Sequence, residues 1–405
     1  MNVLFISRNS PFESIGGIER YIDNLIEHYK GQSGTNLYLM LPTDKEPFVE
    51  KHGNVTIYFD PSIALSKSKI NVQREVSKRA QVFSESLQAI IKNHSIEIIC
   101  AENLHTDLPA AFALLLNMVA ISFKIPLVLQ IHSFASTELQ VELINQLKWD
   151  QISCISKSVS GDCFHKGADI NRISTHYLGV NTKKFNTSST STTNLKEILQ
   201  LQSGTKIVLT ATRIIRGSSP ILKEKGLINL IQAFSKLAPR YPNLKLLIAV
   251  GRTRTDLQDS FNQTLERLRG YIKLHNVEAS TIIKMFELEE MPDVYRGSDV
   301  FVLPSENETL GQVFIEAMSC GLPVIGTKVG GIPEIISDSY NGFLIPPNDS
   351  SVLAQRIERL HNDSSIRNKF ISNGLKTVES TFTTEKQLGD FETMLKTTVA
   401  NNKAL

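Results

Sequence analysis

Residues 299–336 read DVFVLPSENETLGQVFIEAMSCGLPVIGTKVGGIPEII. Val300-Phe301-Val302-Leu303 is a continuous apolar run, short and β-branched, of the kind that forms a strand buried on both faces. Pro304-Ser305 ends it, and a polar loop occupies 305–310. Val313, Phe314, Ala317 and Met318 then fall at helical spacing, which predicts a helix from about Gly311 to Ser319. Gly321 stops that helix as a C-terminal cap, with Pro323 just beyond, and Val324-Ile325-Gly326 begins the next strand. A strand, a loop and a helix in this order place the loop at the carboxyl end of a parallel sheet, where ligands bind in such folds.

The same alternation runs outward in both directions. Toward the N-terminus, strands are predicted at 206–210, 245–250 and 281–285, with helices near 227–237 and 257–275 between them. Farther back, strands are predicted at 3–7, 36–41, 55–59, 96–101, 127–131, 151–155 and 173–177, and a helix at about 18–29. Between these two series lies NTSSTSTTN, residues 186–194, with no apolar periodicity. It reads as a linker or a surface loop beside one. The pattern therefore predicts an α/β chain of two doubly wound, Rossmann-like halves facing across a cleft. The expected boundaries are 1–185, a linker at 186–205, a second domain at 206–380, and a C-terminal helical stretch at 381–405 that packs back on the first domain.

Bulk properties agree with this. The chain has 405 residues, too many for one ordinary core. A net charge of +2 without a charged tail gives no reason to expect a nucleic-acid partner. Cys100, Cys154, Cys163 and Cys320 form no C-x-x-C pair and read as buried thiols of a reducing compartment, so a cytoplasmic location is expected. The first strand starts at once, without the charged and apolar regions of a signal peptide. The apolar run 108–123 is shorter than the roughly 20 residues of a membrane span and reads as a core helix. There is no Asp-x-Asp pair or His/Cys cluster at ligand spacing, so no metal is expected.

The chemistry concentrates in the loop and helix of 305–319. Free N–H groups and the dipole at a helix start suit a phosphate. Glu308 lies just ahead of the helix and Glu316 inside it, with seven residues between them. Two carboxylates so placed can accept hydrogen bonds from the vicinal hydroxyls of one sugar nucleotide at two points.

At this point the residues match a family. SENETLGQVFIEAMSCGLPVIGTKVGGIPEII, with DVFVLPS before it and YNGFLIPP (340–347) after it, resembles the donor domain of the family 4 retaining glycosyltransferases of GT-B type. Its hallmark is the Glu–seven residues–Glu motif. The resemblance implies that Glu308 holds hexose hydroxyls, that Glu316 holds the ribose hydroxyls, and that the Leu310-Gly311-Gln312 backbone lies against the diphosphate of a UDP- or GDP-sugar. It further implies that Gly16 and Gly17, in GGIER, open the first helix close to the donor, and that His132, in PLVLQIHSF, lies near the donor sugar. Arg213 and Lys225 would clamp the diphosphate and stabilise the leaving charge. Closure of the two domains would exclude water.

The sequence departs from the family in places. Lys225 stands twelve positions after Arg213, where the family sets its lysine much closer, and Arg216 and Lys223 are rival cations. HYLGVNTKKF (176–185) has Leu178 where Asn is usual and Asn181 where Asp is usual. Phe286, in the stretch that would line the nucleobase, lacks the usual glycine two positions on. His105 is a second histidine that could face the cleft, and Glu102 and Asp107 are loop carboxylates with no assigned role. The basic run KSKINVQREVSKR (67–79) could make weak peripheral contact with anionic lipid, as in some family members; the residues alone read as a solvated helix face.

The expectation is therefore a retaining hexosyltransferase of carbohydrate biosynthesis, moving a sugar from a nucleotide-sugar donor to a hydroxyl of a glycan, lipid or small molecule. Its rivals are a non-catalytic subunit that binds sugar nucleotides and a sugar-nucleotide epimerase on the same fold.

Overall fold

The computed structural model describes residues 1–12, 16–31, 34–64, 73–188, 194–214, 221–251 and 258–403. It divides into two compact units. The first comprises Met1–Glu13, Gly17–Leu178 and Glu385–Leu405; the second comprises Ser14–Gly16 and Gly179–Thr384.

The first unit is built on β1 (Asn2–Ile6), β2 (Asn36–Pro42), β3 (Phe48–His52), β4 (Val55–Asp60), β5 (Ile98–Glu102), β6 (Leu127–Ile131), β7 (Gln151–Cys154) and β8 (Ile173–Thr175). Their order in the sheet is β3-β4-β2-β1-β5-β6-β7-β8. β1 lies between β2 and β5, with Val3 opposite both Leu37 and Ile98. Side chains of β5 and β6 are buried on both faces, which is why these strands show apolar runs instead of alternation. β3 is antiparallel to β4 and largely exposed. Its FVEKH offers neither a run nor a clean period, and its charged residues suit a sheet edge. The run 108–123 forms the helix Ala110–Phe123. Phe112, Ala113, Leu116, Val119 and Ala120 face the core, whereas Leu114, Met118 and Ile121 are exposed, so it is a core helix along one face only. Among the described residues no helix is long and apolar enough to cross a membrane. All four cysteines are free and buried.

The helix Thr384–Lys403 completes this unit. Phe391 is buried with its ring 6.1 Å from Phe5 and edge-on to His176. Glu392 accepts from Thr35 at 2.7 Å, and Lys403 pairs with Glu97 at 3.0 Å.

The second unit has six parallel strands: β9 (Lys206–Thr212), β10 (Leu244–Gly251), β11 (Thr281–Phe286), β12 (Val300–Leu303), β13 (Val324–Thr327) and β14 (Gly342–Ile345), ordered β11-β10-β9-β12-β13-β14. The helix Leu227–Leu237 turns Leu227, Leu230, Ile231, Phe234 and Leu237 into the core under β9 and β10. Burial of each such side chain contributes about 1.5–3 kcal/mol before the entropy of ordering is subtracted. The unit begins at Gly179, ahead of the linker expected at 186–205. Val180 N–H donates to Phe382 O at 2.8 Å and Thr384 N–H to Val180 O at 3.0 Å, so the two stretches at which the chain changes unit run side by side. Leu195, inside the expected linker, packs against Gly297. Residues 189–193 of the Ser/Thr run lie outside the described residues.

In each sheet the strands progress one way from a central strand and then restart on its other side. The reversal falls between β1 and β5 in the first unit and between β9 and β12 in the second. Loops on either side of such a reversal part at the carboxyl edge and leave a crevice. Both alternating halves thus have the doubly wound form that the sequence predicts.

Candidate active site

In the second unit, the loop after β12 carries Glu308 and the segment after β9 carries Arg213, so both leave strands that flank the reversal. Arg213 is exposed, directly after β9. Lys225 follows the turn Ile221–Glu224, and its Nζ lies 2.8 Å from Glu308 Oε2, with 24% and 15% of the two side chains exposed. Lys223 is exposed on the same turn, and residues 215–220, including Arg216, lie outside the described residues.

Backbone geometry fixes this pairing. Gly226 has φ +65°, and a Cβ there would fall 1.8 Å from Pro304 O. Only glycine lets the turn approach the end of β12 so closely. Glu306 N–H donates to Glu224 O at 2.7 Å beside it. On the other side of the loop, Gly330 has φ +51° and would place a Cβ 1.7 Å from Glu308 O, while Gly331 N–H donates to that oxygen at 3.1 Å. Loop 304–311 is therefore gripped between two glycine turns, and Glu308 is displayed from it.

The helix is Gln312–Ser319, with Gly311 as its N-cap and no side chain closing its first turn. Phe314 N–H turns back to Gly311 O at 2.9 Å, and the backbone N–H groups ahead of it are what the mouth can offer an anion. Leu310 and Gly311 are buried at this mouth. Glu316 lies within the helix, is buried, and accepts from Tyr295 Oη at 2.8 Å. The sequence reading had no role for Tyr295, which comes from the short helix Met291–Arg296. Cys320 N–H, Gly321 N–H and Leu322 N–H bond back to Glu316 O, Met318 O and Ala317 O, closing the helix at the expected glycine. Phe286 ends β11 and is 2% exposed. Its ring is committed to the core, so its backbone is what it can offer a base.

Gly16, which belongs to the second unit, is buried, and Gly17 is exposed as the first residue of the first unit's helix Gly17–Tyr29. His132 directly follows β6. Its Nε2 lies 2.5 Å from Glu102 Oε2 at the end of β5, with 3% and 0% of the side chains exposed. Burial raises the Glu102 carboxyl above its ordinary value, and His132 partly offsets this. His105 and Asp107 stand close by. Burial pushes His105 down to about 4 and Asp107 up. Glu102 was read from sequence as a loop carboxylate; it is instead the buried last residue of a strand. Of the basic run 67–79, residues 67–72 lie outside the described residues. Arg79 is held by Glu75 and by Pro61 O, each at 2.7 Å. Among the described residues no three His, Cys, Asp or Glu side chains gather where they could hold a metal ion.

Comparison with known proteins adds to this geometry. Residues 15–184 match the family described as Glycosyltransferase Family 4, and residues 192–377 match Glycosyl transferases group 1. The capsular polysaccharide biosynthesis glycosyltransferase CapM of Staphylococcus aureus is 32% identical over 177 residues, 44% of this chain and 44% of that protein. The match thus spans about half the length of such a relative or less. In fold, the chain resembles sucrose-phosphate synthase from Thermosynechococcus elongatus (TM-score 0.79, 19% identity, 99% of each chain). It also resembles HepE of Anabaena, solved in complex with UDP and glucose (TM-score 0.75, 18% identity, 98% of this chain and 100% of that one).

Proposed function

Because this chain belongs to the family 4 glycosyltransferases of GT-B fold, we propose that it transfers a hexosyl group from a UDP- or GDP-sugar to a hydroxyl of a glycan, lipid or small-molecule acceptor, with retention at the anomeric carbon. The observation that carries this reading is the Lys225–Glu308 pair, displayed by a glycine-gripped loop at the uncapped start of a helix. Before donor binds, the ammonium and the carboxylate satisfy each other. A nucleotide sugar offers each a better partner: diphosphate oxygens for Lys225 and hexose hydroxyls for Glu308.

The remaining roles follow from where charge develops. As the bond from the anomeric carbon to the phosphate oxygen breaks, negative charge grows on the leaving diphosphate. Lys225, Arg213 and the N–H groups beside Leu310 and Gly311 stabilise it. Glu316, oriented by Tyr295, takes the ribose hydroxyls. Phe286 lines the base through its backbone, and Gly16 and Gly17 let the chain approach the donor. His132, in the first unit, is assigned to a substrate hydroxyl. Uridine is favoured by the fold neighbour crystallised with UDP and glucose.

The test is nucleotide release by purified protein against a panel of nucleotide sugars, followed by the anomeric configuration of the product by proton NMR. Release from one donor class and an α-linked product from an α-linked donor support the reading. No release from any donor, or an inverted product, sinks it.

A further inference from the structure

The proposed transfer draws on the first unit only through Gly17 and His132, yet much structure is spent on holding His132. Glu102 ends β5 and His132 follows β6, and the strands pair with Glu102 opposite Gln130. This register brings together two side chains thirty positions apart in sequence. Glu102 Oε2 meets His132 Nε2 at 2.5 Å with both groups out of water. Asn103 Oδ1 accepts from the His132 backbone N–H at 3.0 Å, and Asn103 Nδ2 donates to Ser133 Oγ at 2.8 Å. Asn103 makes these bonds from a left-handed backbone, φ 50°, which asparagine tolerates better than most residues. The Tyr21 ring covers the imidazole, with centroids 5.5 Å apart, and its Oη donates to Gln130 Oε1 at 3.1 Å.

One atom of the imidazole is exempt from this restraint. His132 Nδ1 is buried and has no hydrogen-bond partner among the described residues. An unpartnered buried nitrogen is unfavourable for folding alone. It lies at the carboxyl edge of the sheet, next to the reversal between β1 and β5, where such folds take their ligands. The groups around the pair are Tyr21 from the first helix, Cys100 on β5, His105 and Asp107 from the turn Leu104–Asp107, and Arg8 after β1. His105 is neutral at neutral pH and adds no cation to compete for Glu102.

We propose that Glu102 is a positioning residue: by accepting from Nε2–H it holds His132 in the tautomer whose bare Nδ1 takes a hydrogen bond from a substrate hydroxyl during transfer. This inference rests on the transferase reading for its substrate and on the Glu102–His132 geometry for the tautomer. A carboxylate behind a histidine sets which nitrogen carries the proton, and an imidazole of the wrong tautomer presents a donor where an acceptor is required.

Nitrogen NMR of the full chain with labelled histidine reads the tautomer directly. His132 with Nε2 protonated and Nδ1 bare supports the proposal; a protonated Nδ1 overturns it. Glu102→Leu removes the acceptor, and Glu102→Gln keeps an oxygen that can face Nε2–H. The Leu variant is expected to lose about 10–100-fold in kcat, with donor KM within about twofold and a lowered Tm, because His132 Nε2–H is left buried without an acceptor. The Gln variant is expected to recover most of kcat. Unchanged kcat in the Leu variant, or equal losses in both variants, overturns the proposal; the second outcome would mean that charge matters and not the tautomer. If the wild type releases no nucleotide from any donor, the transferase reading fails, while the NMR measurement still decides the tautomer.

Discussion

Each unit sets a carboxylate against a nitrogen at the carboxyl edge of its sheet, and the two pairs differ in kind. Lys225–Glu308 keeps 24% and 15% of its side chains in contact with water; Glu102–His132 keeps 3% and 0%. The first joins two flexible side chains that still reach water, so solvent weakens the pair and a ligand offering each a partner can separate it. The second is closed behind Tyr21 and anchored through Asn103, and removing either partner would strand a buried polar group. The partly exposed pair is suited to exchanging partners, as the proposed donor contacts require. The buried pair is suited to keeping one geometry throughout.

Breaking the exposed pair should have the largest effect. Glu308→Ala is expected to lower kcat about 100–1000-fold, the scale of losing one transition-state contact, with nucleotide affinity changed far less. Lys225→Ala should reduce both. Steady-state kinetics with titration calorimetry of the nucleotide checks the split, and undiminished turnover by Glu308→Ala would remove that residue from its role.

The surroundings of the buried pair should show next, in acid. His105 has a folded value of about 4 against an ordinary 6.5, so between these values the unfolded chain binds the proton first. The stability from keeping His105 neutral is whole above about pH 6.5 and is lost as pH falls toward 4, about 3 kcal/mol in all. Glu102 and Asp107, both raised by burial, act with the opposite sign, since the folded state protonates them first. His105→Leu should therefore flatten the fall in stability between pH 6.5 and 4, as measured by denaturant titration.

Smaller effects test the frame of the exposed pair. Gly330→Ala must relieve a Cβ lying 1.7 Å from Glu308 O at φ +51° and is expected to cost about 1–3 kcal/mol in thermal unfolding. Glu316→Gln weakens the anchor to Tyr295 and should raise donor KM about tenfold, or ~1.4 kcal/mol, with kcat nearly unchanged. A kcat loss as large as that of Glu308→Ala would erase the distinction between the two glutamates.

The two regions also differed in how far sequence exposed them. The helix Gln312–Ser319, its glycine stop and both glutamates sit within one short window, and local spacing defines them. Glu102 could not be read that way. Its partner lies on the next strand, thirty positions off, and a carboxylate after IICA looks the same whether it faces water or a histidine. Tyr295 was hidden for a related reason: its partner Glu316 belongs to another helix. β3 escaped because an exposed edge strand carries no apolar signature. Burial of polar groups is a property of strand register, and register is not written in any one segment.

The helix Thr384–Lys403 has a consequence for synthesis. A chain made from its N-terminus reaches Thr384 with the whole second unit already present, whereas the first unit still lacks Phe391 against Phe5 and Glu392 against Thr35. The part made first is thus finished last. A chain that stops at Thr384 would carry one complete unit and one whose apolar floor stands open to chaperones and proteases.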